Sequence, residues 1–353
     1  MSQNLCRIEK FPSRGGWRAG VLGGVVALVS LACSSSGGGT NDPSGSGGSA
    51  GGSGGSGGST GSGEPTGDPT KLVGAFQVRS LPAAEPGAAG STAVIGKIYD
   101  GPTPSQLIWE VQAEEEGCQL LTPRVPFCNE PCGGSAVCVE DDTCQPYPAA
   151  HSAGNVTVTG LNLESGAASL VMSPTANNYQ PPAGVKLLYP PVDEGEALRF
   201  EASGDFFSAF TVEAKGVSPL DLLNETIELK PDQPLQLEWT PPGQADIARV
   251  HVKLDISHHG GTKGMIECNV DDTGSLDVPA SLVKQLLDLG VAGFPTIIVT
   301  RRSVGSTTIP PGRVDLVVSS QIEQAVVIAG LTSCNDDSQC PEGQTCQSDL
   351  TCK

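Results

Sequence analysis

The chain from residue 249 to residue 256 alternates between apolar and polar side chains with a period of two. Val250, Val252, Leu254 and Ile256 occupy one set of positions, and charged or polar residues occupy the other. Because successive side chains of a β-strand point to opposite faces, this pattern predicts a half-buried antiparallel strand. The same alternation predicts further strands at residues 155–159, 209–213, 235–239, 265–270, 296–300 and 313–318.

Turn residues separate these segments, and only one segment has a helical pattern. Pro and Gly cluster at residues 241–243 and 310–312, and residues 272–274 read Asp-Thr-Gly. A helix is predicted between Asp277, which can cap its N-terminus, and Gly290, which ends it. Pro279 lies near its first turn, and its apolar stripe consists of Leu282, Val283, Leu286 and Leu287.

Many short strands with one helix predict a mainly β fold, an antiparallel β-sandwich built as one large or two small units. Residues 71–150 are expected to form a β unit with a cysteine-rich segment, and residues 151–332 a β-sandwich domain. Further strands at residues 76–78, 93–99 and 107–111 belong either to a first small unit or to the same sandwich. The Leu-x-Leu-x-Trp pattern at residues 235–239 loosely resembles early strands of immunoglobulin and fibronectin sandwiches.

The N-terminus has the pattern of an export signal. Residues 1–18 are basic and polar, and residues 19–31 form an apolar run of thirteen, shorter than the roughly 20 residues that span a bilayer. The Val-Ser-Leu-Ala-Cys sequence that ends at Cys33 resembles the bacterial lipobox, although Ser30 stands where Leu is the common choice. The resemblance implies that residues 1–32 are a signal peptide and that Cys33 receives a lipid.

A Gly/Ser-rich linker follows Cys33. Residues 34–70 carry almost no hydrophobic side chains, so this segment is expected to be disordered. A tether of this kind favours lipidation over the two open alternatives, an ordinary secretory signal cut near Ala32 and an uncleaved anchor. By the sorting rule of enteric bacteria, Ser34 directs the protein to the outer membrane, where it would face the periplasm or the cell surface.

The charge of the chain excludes one class of partner. The net charge is −19, and removal of four basic groups and one acid with residues 1–32 makes it −22. A polyanion repels phosphate backbones, and no basic cluster compensates, so nucleic acid is not an expected partner. The acidic surface fits an exported protein that stays soluble.

Twelve cysteines occur, and ten lie beyond Cys6 in the predicted signal and Cys33. An even number in an exported chain predicts disulfide bonds, because that compartment is oxidising. The ten are Cys118, Cys128, Cys132, Cys138, Cys144, Cys268, Cys334, Cys340, Cys346 and Cys352. The last four are expected to pair among themselves, with three pairings open. Cys268 is expected to join the sandwich core to the cysteine-rich segment.

Two cysteine clusters repeat one spacing. A C-x5-C-x5-C pattern begins at Cys132 and again at Cys340, and both copies place Asp and Thr before the last cysteine. These segments resemble Dickkopf-like or EGF-like cysteine-rich knots, which implies a stapled interaction or spacer module at residues 333–353 and within residues 71–150. With the lipobox, linker and β-rich body, the chain resembles uncharacterised myxobacterial lipoproteins, and no activity comes with that resemblance.

Two metal-site hypotheses remain open beside the expectation that no cofactor is bound. Cys128 and Cys132 have a spacing suited to zinc, although an oxidising compartment opposes it. Alternatively, His251 could bind copper or zinc together with His258 or His259 and with Asp255 on the same polar side of the strand. The simpler interpretation of His258 and His259 is an ordinary hairpin loop.

No catalytic motif is recognisable, because the chain lacks G-x-S-x-G and H-E-x-x-H sequences. A pair of glycosidase carboxylates needs no local motif, so that alternative stays open. The sequence favours a non-catalytic envelope lipoprotein that contacts the membrane through its N-terminal lipid. Its β-sandwich ectodomain would bind a protein or glycan partner, and the alternative function is metal binding through His251, His258 and His259.

Overall fold

The computed structural model describes residues 65–66, 68–83 and 89–353. The predicted signal peptide, Cys33 and most of the predicted linker therefore lie outside the described residues. Within the described ranges, no helix is long and apolar enough to cross a membrane.

The described residues form eighteen strands, one α-helix and two short 3-10 turns, at Pro69–Lys71 and Asp337–Gln339. The strands are β1 (Leu72–Leu81), β2 (Ser91–Ile98), β3 (Ile108–Glu115), β4 (Cys118–Arg124), β5 (Ala136–Glu140), β6 (Thr143–Pro146), β7 (Val156–Thr159), β8 (Ser169–Met172), β9 (Asn178–Tyr179), β10 (Ala197–Ala202), β11 (Phe210–Lys215), β12 (Ile227–Leu229), β13 (Leu235–Glu238), β14 (Arg249–Asp255), β15 (Met265–Asp271), β16 (Ser275–Val278), β17 (Thr296–Ile309) and β18 (Gly312–Ile328). The helix, α1, spans Ala280–Asp288.

The predicted mainly β fold is confirmed, with two differences in detail. The helix begins after Pro279 and has no side-chain cap, because Asp277 belongs to strand β16 and lies opposite Gln236 of β13. The prediction of Asp277 as the cap was therefore wrong. Pairing is antiparallel except where β18 meets β1 and β12, which run parallel to it.

A ten-stranded sheet forms the main layer. Its strands follow the order β3-β4-β15-β14-β17-β18-β1-β2-β9, and β12 pairs with β18 beside this path. The order interleaves strands from the two ends of the described chain, since β1 and β4 both pair with strands that follow residue 260. The strands β14, β15 and β17 are internal, so their backbone groups are engaged on both sides.

Two apolar clusters cover one face of this sheet. In the first cluster, β1, β2 and β18 pack against the four-stranded sheet β11-β10-β7-β8, and the rings of Phe76 and Phe200 lie 5.1 Å apart. Gly305 of β17 marks the closest approach, because a Cβ atom there would lie 1.5 Å from the backbone oxygen of Glu213 in β11. Only glycine permits this contact between the layers.

The second cluster lies further along the same face. Alternate residues of β14, β15 and β17, including the predicted set Val250, Val252 and Leu254, pack against the β13-β16 pair and the apolar stripe of α1. All three of these side chains are fully buried. The period-two pattern of residues 249–256 therefore predicted this side of β14 correctly.

A polar belt separates the two clusters at Arg301 of β17. The Arg301 guanidinium is 1% exposed and binds the Asp272 carboxylate, with Nε 2.5 Å from Oδ2. It also donates to the carbonyl oxygens of Pro219 and Thr240, at 3.0 and 2.7 Å, and Trp239 Nε1 donates to Asp272 at 2.7 Å. A buried charge that is paired and hydrogen-bonded in this way is tolerated in the interior.

Candidate functional site: the polar face of the large sheet

The ten cysteines beyond the linker form five disulfide bonds. The pairs are Cys118–Cys268, Cys128–Cys138, Cys132–Cys144, Cys334–Cys346 and Cys340–Cys352. The two cysteine-rich segments share one connectivity, in which the first cysteine pairs with the third and the second with the fourth. The repeated spacing in the sequence is thus a repeated local framework.

Aspartates secure both cysteine-rich segments. Asp141 accepts hydrogen bonds from the Phe127 backbone and from Arg124 of β4, at 3.0 and 2.9 Å, and these contacts lower its pKa. In the C-terminal segment, Lys353 and the Thr351 hydroxyl lower the pKa of Asp349 to about 2. Asp141 and Asp349 occupy equivalent positions in the repeat, and each holds its segment together through local hydrogen bonds.

The fifth disulfide bond lies inside the large sheet and outside both cysteine-rich segments. Cys118 of β4 and Cys268 of β15 are directly opposite in register and fully buried within the second apolar cluster. Cys268 therefore joins the strand that leads into the first cysteine-rich segment to the sheet interior.

The three candidate metal-ligating histidines are not brought together into a site. His258 and His259 lie in the loop between β14 and β15, with their ring centroids 3.9 Å apart. His251 lies within β14 and is 5% exposed, whereas the sequence predicted a solvated polar side of that strand. Across the described ranges, the groups of three close ligand atoms consist of disulfide-bonded cysteines alone. The prediction that His251, His258 and His259 converge on one metal ion is therefore wrong for the described residues.

The His258 loop instead supports the C-terminal cysteine-rich segment. The carbonyl oxygen of His258 accepts a hydrogen bond from the Phe294 backbone at 2.8 Å. The neighbouring Gly293 binds the segment directly, because its N–H donates to the Asp349 carbonyl at 2.7 Å and its carbonyl accepts from Ser333 at 2.6 Å. The loop is thus hydrogen-bonded to residue 294, and the adjoining Gly293 holds this segment.

The face of the large sheet opposite the two apolar clusters is unusually polar, and we call it the polar face. Alternation along the paired strands assigns residues to it. Its central members are Arg79, Arg249, His251, Lys253, Glu267, Asn269, Thr300, Arg302, Arg313, Asp315, Ser319 and Gln321. Several are buried although they carry ionisable groups, whereas Arg79, Arg249, Lys253, Asn269, Thr300 and Gln321 are half-buried. Lys253 lies directly opposite Glu267.

Three buried ionisable residues follow a diagonal across this face. Arg302 of β17, His251 of β14 and Glu267 of β15 are 9%, 5% and 8% exposed. The His251 Nε2 and Glu267 Oε2 atoms lie 3.9 Å apart, beyond hydrogen-bond distance. Within the part of the chain that the structure describes, Glu267 Oε1 and Arg302 Nε are buried without a hydrogen-bond partner.

Arg302 has a like-charged neighbour. Arg249 lies directly opposite it on β14 and is engaged with Asp271 and Asn269. On its other side Arg302 faces Ser319 of β18, and Ser319 faces Arg79 of β1. Like charges opposite each other in a sheet are unfavourable, but Asp271 pairs with Arg249 and the charge of Asp315 acts on Arg302, so acidic residues of the chain offset the charges of this row.

A second charged group occupies the same face at the far end of the β17–β18 hairpin. Asp315 accepts a hydrogen bond from Ser306 at 2.7 Å and lies 3.0 Å from Arg313. Burial raises the pKa of Asp315 despite these contacts. Burial therefore makes ionisation of the Asp315 carboxyl group less favourable than ionisation of an exposed aspartate.

Two surface depressions among the described residues of the sandwich lack such convergence. One is lined by β2 and residues 180–187, and the other by residues 163–170 and 184–186. Lys186 lines both depressions and pairs with Glu164 at 3.2 Å, with both side chains exposed. Neither depression groups buried polar side chains as the polar face does.

Sequence reasoning found His251 but missed Arg302 and Glu267. Both charged residues interrupt β-branched and apolar runs, at Val-Thr-Arg-Arg-Ser and Met-Ile-Glu-Cys. A charged residue within an apolar strand pattern is a usable signal of a functional or paired site, because charged side chains are rarely buried unless they are paired. The strand order that aligns these residues with His251 comes only from tertiary pairing.

Comparisons with known proteins identify no family. No protein-family model and no curated protein matches the chain. A solved structure of chicken CNTN1 FN1–FN3 domains aligns over 69% of this chain and 71% of that chain, at 8% identity and a TM-score of 0.17. A score this low supports no argument about fold or function, so the chemistry of the site must carry the functional conclusion.

Proposed function

We propose that this protein is a bacterial outer-membrane lipoprotein whose β-sandwich ectodomain binds a glycan or protein partner through the polar face, without catalysis. The observation that carries the binding proposal is the diagonal of Arg302, His251 and Glu267. Burial of polar atoms without hydrogen-bond partners costs folding free energy, of about 1–3 kcal/mol for each group. Proteins tolerate such costs mainly at functional sites, which supports the polar face as the place of binding.

The anchor proposal rests on the N-terminal sequence. A basic region, a short apolar run, the lipobox-like residues that end at Cys33 and the Gly/Ser-rich linker occur in the order that a lipoprotein requires. Each buried CH₂ group of an acyl chain contributes about 0.8 kcal/mol, so several chains hold the protein stably at the membrane. Thr66 already contacts Ser306 of β17, and a Gly/Ser-rich coil of the length of residues 34–64 has an average span of roughly 30 Å.

The anchor is tested by replacing Cys33 with Ala and following the protein through membrane fractionation. We expect the variant in the soluble fraction, and we expect the mass of the wild-type N-terminal peptide to include a diacylglycerol. Cys6→Ala is the matched control, because Cys6 lies before the apolar run and its loss should leave anchoring intact. The anchor proposal would be contradicted by two results together. These are wild-type protein without lipid and a Cys33→Ala variant that stays in the membrane fraction.

Binding is tested with a glycan array and with purified envelope extracts, using the wild type and Glu267→Gln. The substitution keeps the shape of the side chain and removes its charge, so it should weaken binding at the polar face. Glu213→Gln is the matched control, since Glu213 lies on the four-stranded sheet and is half-exposed beside Arg199. A ligand whose binding is equally insensitive to both substitutions would place the interaction elsewhere.

A further inference from the structure

We propose that an extended peptide binds the outer edge of β2 at residues 92–95, where it adds a strand to the large sheet. We call these positions the open edge. Four strands lie between β2 and β15, which carries Glu267, so this surface is separate from the diagonal of buried ionisable residues. The proposal adds a second binding surface and does not depend on the function proposed for the polar face.

The backbone groups of β2 alternate between its two sides. Tyr99, just beyond β2, donates its N–H to the carbonyl oxygen of Val73 in β1. The odd-numbered residues of β2 therefore bond to β1, because hydrogen-bonded pairs alternate along an antiparallel ladder. The even-numbered residues point their N–H and C=O groups outward, and Ile98 accordingly accepts from the N–H of His151 on that side.

The chain covers only part of the outer side of β2. Residues 149–151 run beside its C-terminal end, and β9 pairs with Gly96 and Lys97. Within the described ranges, the N–H and C=O groups of Thr92 and Val94 have no backbone partner on that side. These donors and acceptors alternate along the strand, so another extended backbone complements them, as in peptides that add a strand to a sheet edge.

The strand β9 ends early because of Pro181. Tyr179 of β9 lies opposite Gly96, so residue 181 would form the next hydrogen-bonded pair, opposite Val94. Proline has no N–H to donate and is confined in sheets to edges and bulges, and Pro182 follows directly. The chain leaves β2 after Tyr179, and the positions beyond it stay available to a partner.

A depression of about 500 Å³ lies along the open edge. Residues 92–95 line one side of it and residues 180–187 the other. The Thr92 hydroxyl donates to the carbonyl oxygen of Leu188 at 3.0 Å, which fixes the end of the second wall beside the strand. The open edge is four residues long, or about 13 Å of extended chain. Because the second wall flanks it, a single chain fits beside this edge more readily than the edge of a folded sheet.

The second wall favours apolar side chains in the partner. Directly opposed residues of adjacent strands point to the same face of a sheet. A peptide residue opposite Val94 would therefore point toward half-buried Val185 and Leu187. The next residue of the peptide would lie beside Ile95, whose side chain is 51% exposed on the other face. An apolar segment in extended conformation meets both conditions.

The charges beside the open edge are positive, in a chain whose net charge is −19. Lys97 follows Ile95 on the same face of β2, and its Nζ lies 5.4 Å from the ring centroid of Tyr99, with no carboxylate partner among the described residues. Lys186 lines the depression and is exposed beside Glu164. Because salt screens more distant acids, a peptide with acidic ends complements this edge better than one with basic ends.

Hydrogen exchange of the mature protein, resolved to single amides, tests the proposal with three synthetic peptides. The first alternates Val and Thr between terminal Asp residues, the second has Lys in place of Asp, and the third is the first with its four central amide nitrogens methylated. In the protein alone, the amides of Thr92 and Val94 should exchange faster than those of Ala93 and Ile95, which bond to β1.

The first peptide should slow exchange at Thr92 and Val94 and should bind at least about fivefold more tightly than its methylated form, as the loss of two hydrogen bonds implies. Thr92→Pro removes an outward N–H and should weaken binding, whereas Thr92→Val keeps that N–H and is the matched control. Glu267→Gln on the polar face should leave peptide binding unchanged. The comparison of the two peptides uses the wild type, so it stands even if a variant folds poorly.

Several outcomes would overturn the proposal. Slow exchange of Thr92 and Val94 in the protein alone would mean that the edge is already paired, and slow exchange that develops only as the protein concentration rises would assign it to a second copy. Equal binding of the methylated and unmethylated peptides would exclude strand addition. No binding of the first peptide at about 1 mM would remove the site. Tighter binding of the Lys-flanked peptide would overturn the acidic class and keep the strand addition.

Discussion

Replacing Asp272 with Asn removes the negative charge that holds Arg301 in the interior. Arg301 is 1% exposed and Asp272 is 3% exposed, and the two are joined by two hydrogen bonds of 2.5 and 3.1 Å. Breaking a buried ion pair from one side leaves an uncompensated charge, which typically costs 3–5 kcal/mol. Because Asn retains an acceptor for Trp239 Nε1, we expect a loss of about 3 kcal/mol in the free energy of unfolding.

The assay is urea unfolding followed by tryptophan fluorescence, since Trp239 is buried beside Asp272 and reports on the same region. The matched control is Glu213→Gln, which breaks a half-exposed pair with Arg199 and should cost no more than about 1 kcal/mol. Equal small losses for Asp272→Asn and the control would refute the reasoning.

Three further perturbations test the packing of the fold. Replacing both Cys118 and Cys268 with Ala should lower the free energy of unfolding by about 2–5 kcal/mol, measured by urea titration without reductant. Relative to the wild type, Asp315→Asn should gain stability as pH rises from about 3 to 7, because the raised pKa of Asp315 means that the wild type loses stability when this carboxyl group ionises. The lost contact with Arg313 sets the starting difference, and melting temperatures across this range check the slope. Gly305→Ala should lower the free energy of unfolding by at least about 1–3 kcal/mol, because its Cβ would collide with the backbone of Glu213. Gly134→Ala is the control in the same titration and should be near neutral, because the space around its Cβ is open.

The sequence predicted where strands occur better than where they end. The alternation at residues 249–256 located β14 because burial of one face follows directly from period two. The strand predicted at residues 296–300 stopped short of Arg301, yet β17 continues to Ile309. Arg301 is buried because Asp272, 29 residues earlier, neutralises it. A partner at that separation leaves no local signal.

The candidate site shows the same limit. His251 was expected on the polar side of a half-buried strand, and it is instead 5% exposed on a sheet face that it shares with Arg302 and Glu267. Which residues become neighbours depends on the strand order of the large sheet, which interleaves early and late segments. The cysteine repeat was easier to interpret, because its spacing is local and the two segments adopt one connectivity.

A crystal structure of the mature protein with its tightest array ligand tests the central claim most directly. The account predicts that the ligand lies on the polar face of the large sheet and contacts its charged side chains. A ligand bound to the four-stranded sheet, or to either cysteine-rich segment, with Arg302 and Glu267 untouched, would contradict it.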